Sequence, residues 1–157
     1  MKIRNGFVSN SSSSSFVVLK DALTEKQQDM IINYQEWVKF FINLDEENWK
    51  ESVIFETDRE LYLSDEYQEQ QYKRLKYKFE YCDHSPWTIK EYDDCIFGET
   101  SMDNFDMRDY LDYIKVDEKY IDWDDGYIDE PLVSQRNAII RMKQEYRKKK
   151  LDKINNQ

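Results

Sequence analysis

Apolar residues in this chain occur in short clusters separated by polar turn residues, and this spacing restricts the folds open to it. Three pairs of β-branched or aromatic clusters predict hairpins, and four stretches with apolar residues at helical intervals predict helices. Hairpins that alternate with helices favour a mixed α+β architecture over a parallel α/β sheet. The sequence therefore predicts a single α+β domain in which short antiparallel hairpins pack with about four helices.

The strongest helix pattern runs from Glu25 to Asn43. Thr24 and Gln27 have the spacing of a capping box, in which each side chain binds the backbone of the other residue. Apolar residues follow at helical intervals over Met30, Ile31, Tyr34, Trp37, Val38, Phe41 and Ile42. We therefore expect one continuous helix here.

Three further helices are expected. The second begins at Asp65 and ends before His84. The third has Asp103 as its cap, with an apolar stripe over Met107, Tyr110, Leu111 and Ile114. The fourth is basic, with Ser134 as its cap and a thin apolar stripe that gives way to a polar end at 147–150.

The strands are expected on either side of polar turns. Hairpins are predicted over 53–63, over 87–98 around Asp93-Asp94, and over 120–128, where Asp125-Gly126 suits a tight turn with positive φ angles. At the N-terminus, two short apolar strands flank a serine-rich loop over 9–15.

The charge of the chain changes along its length. The net charge is −10, but residues 1–90 carry −4, residues 91–130 carry −12 and residues 131–157 carry +6. We therefore divide the chain into a serine-rich N-terminal segment over 1–19, an α+β body over 20–130 that holds the acidic block 91–130, and a basic C-terminal helix and tail over 131–157. We expect the basic part to neutralise the acidic block within the fold or across a self-association interface.

Few residues have the types and spacings of a catalytic or metal site. Cys82, His84 and Cys95 could supply three zinc ligands but lack a fourth in a recognised pair, and they lack the context of a cysteine protease. Residues 122–130 have the composition of a calcium loop, but the glycine stands one position early and the closing glutamate is absent. No phosphate-binding glycine motif or nucleophile elbow occurs. The sequence therefore predicts no catalytic residue, metal site or cofactor.

Aromatic residues are interleaved with the carboxylates of the acidic block. Carboxylates on a rigid surface present a potential like that of a phosphate backbone, and aromatic residues among them could anchor a protein interface. The alternative is that the aromatic residues form core and the acids form a solvated face. The predicted contact residues are Asp103, Asp106, Asp109, Asp112, Asp122, Asp124 and Asp125.

The segment RNGFVSNSSSSSFVV over residues 4–18 resembles a recurrent N-terminal segment of small uncharacterised proteins of large tailed bacteriophages. The stretch GETSMDNFDM over 98–107 and the WDDG over 123–126 also resemble parts of that family. The resemblance implies a phage gene product made in a bacterial cytoplasm. It implies no particular activity and no catalytic residues.

These observations predict a non-enzymatic, acidic binding protein that acts on a host protein, for example as an inhibitor of a defence or nucleic-acid-handling system. The alternative is a structural or packaged virion component that docks through its N-terminal segment. We expect no membrane association, because no apolar run is long enough to span a bilayer. Direct binding to nucleic acid is disfavoured by the net charge of −10.

Overall fold

The computed structural model describes residues 13–42, 73, 87–101 and 105–156. In these residues, α-helices pack on both faces of one four-stranded antiparallel sheet. This arrangement confirms the predicted single α+β domain. The hairpin predicted over 53–63 lies outside the described residues, and so does the helix predicted from Asp65, apart from Lys73.

The described strands are β1 (Ser14–Leu19), β2 (Thr88–Glu91), β3 (Cys95–Thr100) and β4 (Ile121–Asp124). They lie in the sheet in the order β2, β3, β1, β4, so β1 is an interior strand. β1 pairs with β3 on one side and with β4 on the other, and β2 pairs with β3. Both β2 and β4 are edge strands within the described part of the chain.

The serine-rich loop predicted over 9–15 is wrong for its last two residues, because Ser14 and Ser15 begin β1 and are buried. Ser15 pairs with Glu99 on β3 and with Asp124 on β4. Its hydroxyl oxygen also accepts a hydrogen bond from Gln135 Nε2 at 3.4 Å. Pairing on both sides satisfies the backbone groups of this stretch and outweighs the preference of serine for turns.

Of the two turns predicted in the described region, one is confirmed and one is wrong. β2 and β3 form the hairpin predicted around Asp93-Asp94. By contrast, β4 pairs with β1, and Tyr127 and Ile128 form no strand. Gly126 has no positive φ angle, and its N–H donates to Asp124 Oδ1 at 2.8 Å, so the Asp side chain closes the turn.

The predicted helix over 25–43 is two helices, α1 (Glu25–Ile32) and α2 (Tyr34–Ile42). The capping box is confirmed: Gln27 N donates to Thr24 Oγ1 at 3.1 Å and Thr24 N donates to Gln27 Oε1 at 3.0 Å. The break falls at Asn33, whose side chain donates to Asp29 Oδ1 at 2.8 Å. The backbone of Asn33, with φ −108° and ψ 40°, departs from helical values, although its N–H still donates to Asp29 O at 2.9 Å.

The two later helices are confirmed, but their predicted caps are wrong. Helix α3 (Met107–Tyr113) is capped by Asp106, whose Oδ1 accepts from Asp109 N at 3.1 Å, whereas Asp103 lies outside the described residues. Helix α4 (Val133–Asn155) has Leu132 at its cap position in place of Ser134. There Gln135 Oε1 accepts from Leu132 N at 3.1 Å, so a side chain inside the helix satisfies the backbone N–H of the cap residue.

Two hydrophobic cores lie on opposite faces of the sheet. On one face, Phe16 and Val18 of β1 pack with the apolar residues of α1, α2 and α3. On the other face, Val17 and Leu19 pack with α4 through Ala138, Ile139 and Met142. This division follows from the alternation of side chains along a strand. Helix α4 does not end at the basic run 147–150 but continues to Asn155.

Candidate functional site

The carboxylates predicted as contact residues occupy two places on the sheet. Asp106, Asp109 and Asp112 belong to α3 and its cap, on the first core face. Asp122 and Asp124 lie on β4 opposite Val17 and Ser15, and therefore point to the face that carries α4. The two groups meet only around the β4 edge.

Arg108 connects α3 to β4 at this edge. Its guanidinium carbon lies 4.2 Å from the centre of the Trp123 ring, and its Nη2 lies 3.9 Å from Asp125 Oδ1. The Trp123 ring in turn packs on Phe16, with ring centres 5.2 Å apart. The cation is thereby held beside the edge strand, and Asp125 is brought next to the acidic first turn of α3.

Asp122 on β4 is a partly buried carboxylate. Burial raises its pKa, Arg141 of α4 opposes this effect, and Asp124 adds to it. Asp124 also accepts the Gly126 N–H. Several acids of the predicted surface therefore have structural roles in capping, turn formation or pairing, while they keep a negative potential around β4.

The predicted zinc ligands are only partly described. Cys82 and His84 lie outside the described residues, and Cys95 is a buried free cysteine on β3. Burial, reinforced by Asp94, raises the pKa of the Cys95 thiol to about 11. The thiol is therefore protonated at neutral pH, and a thiol is a weak nucleophile. Within the described ranges, no three metal-ligating side chains come together.

Sequence reasoning missed a buried carboxyl group, Glu99 on β3. Its side chain is 4% exposed, and Oε2 has no hydrogen-bond partner among the residues that the structure describes. Burial raises its pKa; Lys90 opposes this effect and Asp129 adds to it. The signal was present in the alternation of β3, since Glu99 falls on the same face as Cys95 and Phe97.

Two surface depressions are lined by residues of the described part of the chain. One, of about 280 Å³, lies between the α1–α2 junction and β2, beside Tyr34 and Trp87. Trp87 N donates to Tyr34 Oη at 2.7 Å, so these groups satisfy each other. The second, of about 630 Å³, lies between α4 and the short 3-10 turn Glu118–Tyr120, and is lined by both lysines and carboxylates.

None of the described helices is long and apolar enough to cross a membrane. Comparison of the chain with protein-family models, with curated proteins and with solved structures gives no match.

Proposed function

We propose that this chain is a protein-binding module whose β4 edge receives a basic segment of a partner protein. The observation that carries the proposal is the grouping of Asp122, Asp124 and Asp125 along and just after an edge strand. Among the described residues β4 has one neighbouring strand, β1, so its outer side can accept hydrogen bonds from an added strand.

The charge of this edge favours one kind of partner. Carboxylates along an edge strand discourage pairing with another copy of the same strand, because the two acidic edges repel each other. A segment that carries lysine or arginine is attracted to the same edge, and it gains backbone hydrogen bonds as it docks. The expected interaction therefore weakens as salt screens these charges.

The resemblance to phage proteins supports a host protein as the partner. A host protein with a basic nucleic-acid groove has the complementary charge, so the chain would act as an inhibitor of a defence or nucleic-acid-handling system. The alternative role, a virion component docked through the N-terminal segment, has less support. Residues Ser14–Val18 of that segment lie in the interior strand β1 and are not available for docking.

Affinity purification from bacterial cells at moderate salt, followed by mass spectrometry, tests the proposal. The test variant replaces Asp122, Asp124 and Asp125 with arginine. The matched control makes the same charge change at the exposed residues Asp21, Glu36 and Asp93, away from the β4 edge. Circular dichroism establishes that both variants are folded.

A partner held by the wild type and the control variant, but released by the edge variant, supports the proposal. The contact segment of that partner, mapped by cross-linking, should be basic. The proposal fails if the edge variant retains the partner as well as the control does. It also fails if the mapped contact lies away from β4.

A further inference from the structure

The segment that follows β4 crosses the face of the sheet that carries α4. We call residues 125–131, which form no helix or strand, the strap. The strap begins at the β4 edge, and Ile128 packs against the core on the α4 face. The backbone oxygen of Asp129 then accepts a hydrogen bond from Lys90 Nζ on β2. The strap therefore connects the two edge strands of the described sheet across β1 and β3.

A row of polar residues runs across the same face of the sheet. Strand register aligns four of them, one from each strand: Thr88, Glu99, Ser15 and Asp124. Ser15 and Glu99 are buried, and Ser15 Oγ accepts a hydrogen bond from Gln135. Glu99 Oε2, in contrast, has no hydrogen-bond partner in the described part of the chain. The row therefore contains a buried carboxyl group with an unsatisfied oxygen.

The charges that act on Glu99 come from β2 and from the strap. Lys90 favours the ionised carboxylate, whereas Asp129 disfavours it. Glu99 and Asp129 together raise the pKa of the Tyr127 hydroxyl, which is therefore protonated at neutral pH. The serine of β1 and the glutamine of α4 described above are neutral. Asp124 lies farther away, on the other side of β1.

Ionisation of Glu99 weakens the attachment of the strap in three ways. A buried carboxylate without a hydrogen-bond partner gains hydration when the strap moves away from the sheet. The carboxylate also repels that of Asp129, and it competes with the Asp129 carbonyl for the ammonium group of Lys90. Ile128 is only partly buried, so its contact with the core offers limited opposition.

We propose that the strap is a pH-dependent latch, which is held against the sheet while Glu99 is protonated and opens when Glu99 ionises. Burial raises the pKa of Glu99, Lys90 opposes this effect and Asp129 adds to it. The closed form thus binds the proton more tightly than the open form, and rising pH favours opening. The latch belongs to the free chain, so this proposal and that of docking at the β4 edge can fail separately.

Nitrogen-15 relaxation measurements on the backbone amides of 126–130 test the proposal. For the wild type, we expect order parameters near 0.85, about the value for rigid backbone, in acid, and below about 0.6 at neutral to mildly alkaline pH. The carbon-13 shift of the Glu99 carboxyl should change over the same pH interval. In Glu99→Gln the strap should stay rigid throughout. The matched control, Glu130→Gln, removes an exposed carboxylate of the strap itself and should open as the wild type does.

Order parameters of the strap that do not change with pH in the wild type overturn the proposal. So does equal opening in Glu99→Gln, or opening at a pH that differs from that of the Glu99 carboxyl titration. The amides of β1 provide the control for local movement. If they lose order together with the strap, the sheet itself unfolds and the latch is wrong.

Discussion

Gly98 on β3 lies too close to a neighbouring aromatic ring to carry a side chain. It lies opposite Phe16, and a Cβ at this position would come 2.3 Å from Phe16 Cε1 and 2.6 Å from Phe16 Cζ. The ring of Phe16 packs against Trp87 and Trp123, with ring centres 5.6 and 5.2 Å away, and the two Trp rings also contact each other at 6.4 Å, so the Phe16 ring has little room to move. The absence of a side chain at Gly98 therefore allows this aromatic cluster to form.

Gly98→Ala should lower the free energy of unfolding by about 1–3 kcal/mol, as expected for overpacking in a tight core. Gly126→Ala is the matched control, because its nearest atom is Asp124 Oδ1 at 3.1 Å in a polar turn. Urea unfolding monitored by tryptophan fluorescence measures both. Similar losses in the two variants would contradict the proposed role of the Phe16 ring.

Glu99→Gln should reduce the loss of stability that the wild type shows between acidic and neutral pH. A carboxyl with a raised pKa in the folded state holds its proton more tightly there than in the unfolded chain. The stability that the protonated Glu99 carboxyl contributes is therefore complete below the ordinary glutamate pKa of about 4.3. It is lost as pH rises through the pKa of Glu99 in the folded state. Lys90, Asp129 and Tyr127 are the charged or titratable groups coupled to it.

Glutamine stays neutral, so the variant lacks this loss. Urea unfolding at about pH 4 and about pH 8 should show a smaller decline for Glu99→Gln than for the wild type. Glu130→Gln, at an exposed position, should follow the wild type at both values. An unchanged pH dependence in Glu99→Gln would show that the buried carboxyl is not the source of the decline.

At the scale of elements, Gln27 attaches α1 to the end of α3. Its Oε1 closes the capping box, and its Nε2 donates to the carbonyl oxygens of Ile114 and Lys115, both at 3.1 Å. Lys115 has a φ of 67°, which turns the chain after α3 and presents these carbonyls. One buried amide thus serves two elements.

Gln27→Leu should cost more than about 2 kcal/mol of stability, because it removes both the donor to the buried Ile114 carbonyl and the Gln27 half of the capping box. Thr24→Ala removes only the cap acceptor and should cost about 1 kcal/mol. Gln28→Leu is the control, since its single bond to Lys20 O is 3.5 Å long. Denaturant midpoints rank the three variants. The assignment is wrong if Gln27→Leu costs no more than Thr24→Ala.

Local patterns predicted the elements well where the relevant contacts are local. The capping box at Thr24, the β2–β3 hairpin and the apolar face of α3 follow from spacing alone. The partner of β4 did not, because the pairing of Ser15 with Asp124 depends on residues far apart in the sequence. The break at Asn33 was not predicted either, because the apolar periodicity continues through this position from Met30 and Ile31 to Tyr34.

The sequence predicted the composition of the acidic surface but not its arrangement on the fold. The sequence indicated which residues carry charge, but not that Asp122 and Asp124 face α4 while α3 lies on the other side of the sheet. Strand register determines that division, and register emerges only when β1 and β4 pair. The alternation of β3 places Glu99 on the same face as Cys95 and Phe97, but only the packing of α4 on the paired sheet shows that this face is covered.

For the whole molecule, the N-terminal part of α4 up to Met142 belongs to the hydrophobic core, whereas its C-terminal part after residue 146 contributes no buried side chain among the described residues. Met142 is the last buried residue of the helix. Removal of residues 147–157 should therefore change the free energy of unfolding by less than about 1 kcal/mol. Met142→Ala should cost about 2–5 kcal/mol, as for a large-to-small change in a core. Thermal unfolding compares the two.

If the truncated protein loses as much stability as Met142→Ala, the end of α4 belongs to the folded core.

The interior position of β1 also determines when the sheet can assemble. Leu19 pairs with Cys95, and Ser15 pairs with Asp124, so this strand is synthesised long before either neighbour. Phe16 and Val18 gain the apolar residues of α1 and α2 soon after they are synthesised, but the strands that pair with β1 follow only after most of the chain. Pairings so distant in sequence slow folding, because a large loop must close before the contacts form. Among the described strands, the first to be made is thus among the last to be paired, and chaperones have a long opportunity to act on it.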